Sequence, residues 1–224
     1  MRTFLRDNGV ALFFGALFLL ALAGQAVAGF HAFNDDQVAD GAAPASFARY
    51  LTSTDFGTDV AENWQSEYLQ FALYILATVY LVQRGSPESK QIGDEGTESD
   101  EDQRVGAHAH DDSPASARAR GGRLWWYSNS LGLTMGLIFL GSWTAQAVAG
   151  RATYNAAQLR SFQDPLGMGE YLVSPDFWDR TLQNWQSEFL AIFSMAVLSI
   201  YLRQRGSPES KPVGGAHSAT GLEG

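Results

Sequence analysis

Apolar residues gather in four stretches, separated by polar and mostly acidic segments. The first runs from about Val10 to Gly29 and the third from about Ser130 to Gly150. Each is long enough, at about twenty residues, to cross a ~30 Å hydrocarbon core as a helix. The second runs from about Trp64 to Val82 and the fourth from about Trp185 to Leu202. Their strictly apolar parts, Phe71 to Val82 and Phe189 to Leu202, are shorter. They reach spanning length only if the polar Trp-Gln-Ser-Glu head is counted near the outer boundary. The pattern predicts an all-α membrane protein whose four transmembrane helices form two hairpins.

The second half of the pattern repeats the first. Asn63-Trp64-Gln65-Ser66-Glu67 returns as Asn184-Trp185-Gln186-Ser187-Glu188, 121 residues later. The same shift carries Gln25–Gly29 onto Gln146–Gly150 and the octapeptide Gln83–Lys90 onto Gln204–Lys211. One offset shared by three separated blocks points to duplication of an intact unit. It divides the chain into a first membrane unit (residues 1–90), an acidic linker (91–122), a second unit (123–211) and a flexible tail (212–224).

Arg2, Arg6, an apolar run and Ala26-Val27-Ala28 also resemble a secretory signal with its cleavage site. Ala147-Val148-Ala149 repeats those residues where no signal peptide can lie, which favours an uncleaved first span. Orientation follows from Lys and Arg. Eleven of the fifteen lie before the first span, between the second and third spans or after the fourth span, and four (Arg49, Arg151, Arg160, Arg180) lie in the intervening loops. Both termini and the linker are therefore expected in the cytoplasm and both loops outside, giving a parallel repeat rather than an inverted one.

Composition narrows the function classes. The chain has 224 residues, a net charge of −9 and no cysteine. Disulfides, thiol nucleophiles and Cys-type zinc sites are excluded, and an acidic chain without a basic face is a poor match for nucleic acid. No cofactor, metal site or catalytic constellation is expected. His31 has no counterpart beyond Ala152, and His108 and His110 beside Asp111 and Asp112 read as part of a disordered tract. From about Gln91 to Gly122 almost no large apolar residue is available to order the chain.

At the helix ends, Ser174-Pro175-Asp176 forms a start signal, with Ser as N-cap and Pro at the first helical position. Asp59-Val60-Ala61-Glu62 offers a capping box in the first unit. Each octapeptide reads as a stop, with Gly85 and Gly206 at the left-handed position after the helix and Pro87 and Pro208 barring continuation. A docking motif or phosphorylation at Ser86 or Ser89 is the alternative.

Within the spans, Ala11 and Gly15 map onto Gly132 and Gly136, a small-xxx-small spacing suited to helix packing. Glu67 and Glu188 are the costliest residues to place in lipid. Counting helical rise, Gln25 and Glu67 both lie roughly 25 Å from the cytoplasmic side, as do Gln146 and Glu188. Pairs Gln25–Glu67 and Gln146–Glu188 near the outer edge are the favoured structural reading. Two carboxylates lining a path for a cation or proton are the functional alternative.

The Asn-Trp-Gln-Ser-Glu motif, with Asn63, Trp64, Asn184 and Trp185, and the Gln-Arg-Gly-Ser-Pro-Glu-Ser-Lys octapeptides carry a family resemblance. The chain resembles uncharacterised bacterial integral membrane proteins known only as a domain of unknown function. The resemblance covers both units and implies four passes and bacterial origin, with no activity or ligand to transfer. The expected role is a non-enzymatic envelope or partner-binding component in the lipid bilayer, as a homo-oligomer or with a protein partner. A small channel or transporter using Glu67 and Glu188 is the alternative.

Overall fold

A computed structural model describes residues 2–222. Met1, which opens the first sequence unit, and Glu223 and Gly224, which close the tail, lie outside the described residues. The chain is helical, with no strand among the described residues. Helices α1 (Arg2–Asp7), α2 (Gly9–Ala39), α3 (Phe47–Leu51) and α4 (Thr54–Tyr80) precede the linker, and α5 (Gly122–Ser128), α6 (Ser130–Arg160), α7 (Met168–Leu172) and α8 (Pro175–Tyr201) follow it. Both bounds of α6, α7 and α8 lie 121 residues beyond those of α2, α3 and α4.

Of the four expected spans, α2 and α6 are long and apolar enough to cross a membrane by length and composition. Helices α4 and α8 fall short of that measure. The polar heads Asn63–Glu67 and Asn184–Glu188 occupy the turns that would have to supply the missing apolar length. Helices α2 and α6 run ten residues past their expected ends, to Ala39 and Arg160, and so take up part of each loop.

Ser174 caps α8 as expected, its Oγ accepting from the Phe177 N–H at 3.3 Å. The capping box at Asp59 is not used. Helix α4 starts five residues earlier, at Thr54, where Ser53 Oγ accepts from the Phe56 N–H at 3.3 Å. Ser53 is the counterpart of Ser174, and a serine followed by free backbone N–H groups nucleates the helix before Asp59 is reached. The helices end before the stop signals are reached, although both glycines take the left-handed conformation expected of them. Helices α4 and α8 end at Tyr80 and Tyr201, so Gly85 and Gly206 lie beyond the helix ends, in separate turns.

Two compact units emerge: residues 1–60 with 145–168, and residues 61–144 with 169–224. In the first, α3 folds back on α2. Tyr50, 2% exposed, sets its ring against Phe30, Phe33 and Phe56 and its hydroxyl against Gly29. A Cβ at Gly29 would collide with that hydroxyl, so the approach requires glycine there. Asn34 clamps the loop, Nδ2 donating to Ala45 O (3.2 Å) while Oδ1 accepts from Ala45 N–H (2.7 Å). Asn155 makes the same pair of bonds to Leu166 (3.0 and 2.8 Å). Arg160 pairs with Asp40 across the two helix ends.

In the second unit, Gly132 of α6 lies against α4, where an added Cβ would stand 3.6 Å from Leu76 Cδ2. That is ordinary van der Waals contact. The linker carries a 3-10 turn at Gly106–His108 and hydrogen-bonded turns, tied to α4 by the Gly96 N–H donating to Val79 O (2.8 Å).

Candidate functional site

The duplicated Asn-Trp-Gln-Ser-Glu motifs meet in the second unit, where the C-terminal part of α4 lies beside α8. Trp185 Nε1 donates to Gln65 Oε1 at 2.7 Å. Gln65 is fully buried, and its Nε2 has no hydrogen-bond partner. About one turn towards the N-terminal ends of these helices, Arg180 Nη1 donates to Glu62 Oε1 (3.0 Å) and its Nε to Asp176 Oδ1 (3.4 Å). Burial disfavours the guanidinium charge, but Glu62 and Asp176 outweigh that and push its pKa up. The Tyr171 hydroxyl donates to Asp176 Oδ2 (3.0 Å), and burial, then Asp176, raises the phenol above its ordinary range.

Aromatic rings surround this polar chain. Trp143 of α6 stacks on Phe139 and Phe177, with centroids 5.6 and 5.9 Å apart, and Trp185 lies 5.9 Å away. Trp143 Nε1 donates to Thr181 Oγ1 at 3.4 Å. The ion pairs are not sealed by these rings, since the Arg180 side chain keeps 39% of its surface exposed.

The sequence-predicted residues fall in different places. Glu67 is exposed and Glu188 half-buried; Glu188 lies within electrostatic reach of Glu67 and hydrogen-bonds with Ser66. Gln25 is half-buried and Gln146 fully buried, both in the first unit. Asn63 and Trp64 are exposed, while Asn184 is half-buried and donates from Nδ2 to Arg180 O (2.8 Å). Among the small residues, Gly132 meets α4, Gly15 and Gly136 have open space around them, and Ala11 is exposed.

The octapeptides form matching closed loops. Ser86 N–H donates to Gln83 O (3.1 Å) and Ser207 N–H to Gln204 O (3.2 Å), with Gly85 and Gly206 at positive φ inside each turn. Ser89 Oγ accepts from Gln83 N–H and Ser210 Oγ from Gln204 N–H, both at 2.9 Å. The lysines then differ. Lys90 pairs with Glu98 (2.5 Å) and donates to Gly96 O, which holds the Glu98 carboxyl below its usual pKa range. Lys211, 1% exposed, donates to Gly85 O (2.6 Å) in the first loop and to the carbonyls of Ala216, His217 and Ala219. Thr220 and Gly221 bond Gly85 and Ser86, so the tail closes over the first loop.

The sequence pattern does not single out Asn34, Asn155 or Ser210; it gives Gln65 only as part of its motif and Ser89 only as a candidate phosphorylation site. Identity under the 121-residue shift marks the asparagine and serine pairs. Nothing local marks the burial of Gln65 over its exposed counterpart Gln186. No curated protein and no solved structure matches the chain. Its family is nevertheless plain: residues 1–222 match the family described as a Domain of unknown function (DUF6766), and the chain belongs to it.

Proposed function

We propose that the chain is an integral membrane protein crossing the bilayer four times as two parallel hairpins, α2 with α4 and α6 with α8. The linker and the segments flanking the hairpins are cytoplasmic, and the role is non-enzymatic: binding a protein partner, or a second copy, in the envelope.

One observation carries this reading. Only 11% of the most apolar window of α6 is buried, and Leu131, Leu137 and Leu140 point outward. A core helix of a soluble protein would cover such a surface, and a signal sequence would lie at the N-terminus, whereas α6 begins at Ser130. Lipid is the solvent that suits an exposed apolar helix of this length. Helices α4 and α8, about 40 Å long at 1.5 Å per residue, then keep their acidic first turns outside and bring in only their apolar C-terminal halves.

The chain has no cysteine, so single cysteines report cleanly. Cysteines at Ser99 and Ala43 are tested in intact cells with a membrane-impermeant thiol reagent. Labelling at Ala43 alone supports the topology. Labelling at Ser99 alone reverses it, and release of the protein by alkaline carbonate refutes membrane integration.

A second reading, conduction of a cation or proton, is favoured by the placement of Glu188 within electrostatic reach of Glu67. Flux in liposomes that disappears in a folded Glu67→Gln, Glu188→Gln variant supports it. Absence of flux in the unaltered protein rejects it.

A further inference from the structure

Between α4 and α8, near their C-terminal ends, lies a groove of about 230 Å³. Its walls come in pairs under the 121-residue shift: Gln70 with Ala191, Phe71 with Ile192, and Tyr74 with Met195. The two octapeptide loops complete it with Glu88 and Glu209, a fourth pair. The i, i+1, i+4 spacing keeps each helical trio within about 100° of the helix surface, and the loops fold back so that Glu88 and Glu209 both line the groove.

Duplication built the groove, and divergence gave it two unlike walls. Helix α4 offers the Gln70 amide and the Tyr74 phenol, while α8 offers only apolar surface. The Tyr74 hydroxyl donates to Glu88 Oε2 at 2.5 Å, and both Glu88 and Glu209 act electrostatically on that hydroxyl. The lysines of the same loops are engaged elsewhere, Lys90 with Glu98 and Gly96 and Lys211 with backbone carbonyls. Two carboxylates above an apolar floor repel anions. The groove brings two carboxylates together, and no group of three or more His, Cys, Asp or Glu that could hold a metal ion occurs among the described residues. An ammonium meets the carboxylates and the face of Tyr74, and an attached apolar body meets Phe71, Ile192 and Met195.

We propose that this groove binds a small amphiphilic organic cation, an ammonium on a short apolar body, with Glu88 and Glu209 as its counter-ions. The volume equals that of about eight water molecules at ~30 Å³ each, which suits an amine of similar heavy-atom count. The proposal concerns α4, α8 and their loops, and it stands whichever way the hairpins face.

The test uses the full chain in uncharged detergent, titrated calorimetrically with n-hexylammonium chloride and with hexan-1-ol, its neutral counterpart. Saturable one-to-one binding of the ammonium is expected, with the alcohol weaker by about tenfold or more, as hydrogen bonds to charged groups are the stronger ones. Glu88→Gln with Glu209→Gln should weaken the ammonium to the level of the alcohol. Met195→Lys, which places a tethered ammonium in the groove, should abolish binding even if the double variant does not fold. Equal binding of alcohol and ammonium, full affinity in the folded double variant, or unchanged affinity in Met195→Lys would each overturn the proposal. So would binding seen only with phosphatidylethanolamine and not with hexylammonium.

Discussion

Asn34 and Asn155 each satisfy a backbone N–H and C=O that a loop would otherwise leave unmade. Alanine at Asn34 removes both partners of Ala45, and the part-buried site makes that cost about 1–3 kcal/mol. Thermal unfolding in detergent should show the loss, and an unchanged midpoint would mean water takes over the clamp. Tyr50 makes the second expectation at this scale. Burial, then Asp59 and Asp55, raises its phenol pKa. The neutral phenol therefore contributes stability that is complete below the unfolded value of about 10 and lost as pH rises from there through the folded value. Tyr50→Phe keeps the ring and removes the titration, so its melting temperature should fall less steeply above about pH 10 than that of the unaltered protein. Parallel curves would show that Tyr50 does not carry the alkaline transition.

At the scale of elements, the octapeptides share a sequence but not a setting. Gly85 and Gly206 have φ of +87° and +80°, so alanine strains either turn. Space separates them. A Cβ at Gly85 would run into the His217 carbonyl, whereas nothing lies within 4 Å of one at Gly206. Gly206→Ala should cost about 1 kcal/mol for the left-handed backbone alone. Gly85→Ala should cost more, because the tail must also move. Equal losses in thermal unfolding would mean that the tail does not close over the first loop. One more shared letter of each loop is accounted for by geometry, since Ser89 and Ser210 each close a ring onto a glutamine N–H.

At the scale of the whole molecule, the linker joins the repeats without supplying a core. Part-buried residues occur along it, among them Val105, Gly106, Ala109 and Ser113, and the Gly106 N–H donates to the carbonyl of buried Ala117 at 2.8 Å. Replacing residues 100–116 with a Gly/Ser segment of equal length should leave the protein helical and monodisperse in detergent, because that composition cannot bury enough apolar surface to hold the fold. Aggregation of the variant would show that the contacts of the linker's middle with α5 and α6 are needed to hold the fold.

Much of the helical skeleton was legible in the letters. Hydropathy placed the cores of α2 and α6, Ser174 fixed the start of α8, and the 121-residue shift related the halves. These are short-range matters of side-chain solvation, capping and covalent order, which act wherever the segment ends up. The extension of α2 to Ala39 and both ends of α4, at Thr54 and Tyr80, were not legible, because competing local signals decide ends by small margins. The sites depended on tertiary structure almost entirely. Gln65 and Gln186 are the same letter in the same motif, yet only Gln65 is sealed against Trp185. Lys90 and Lys211 close identical octapeptides, yet one pairs with a carboxylate and the other sinks among carbonyls. Sequence determined which segments are helical and which residues are twins. Burial and electrostatics, which depend on the segments packed nearby, decided which twin does what.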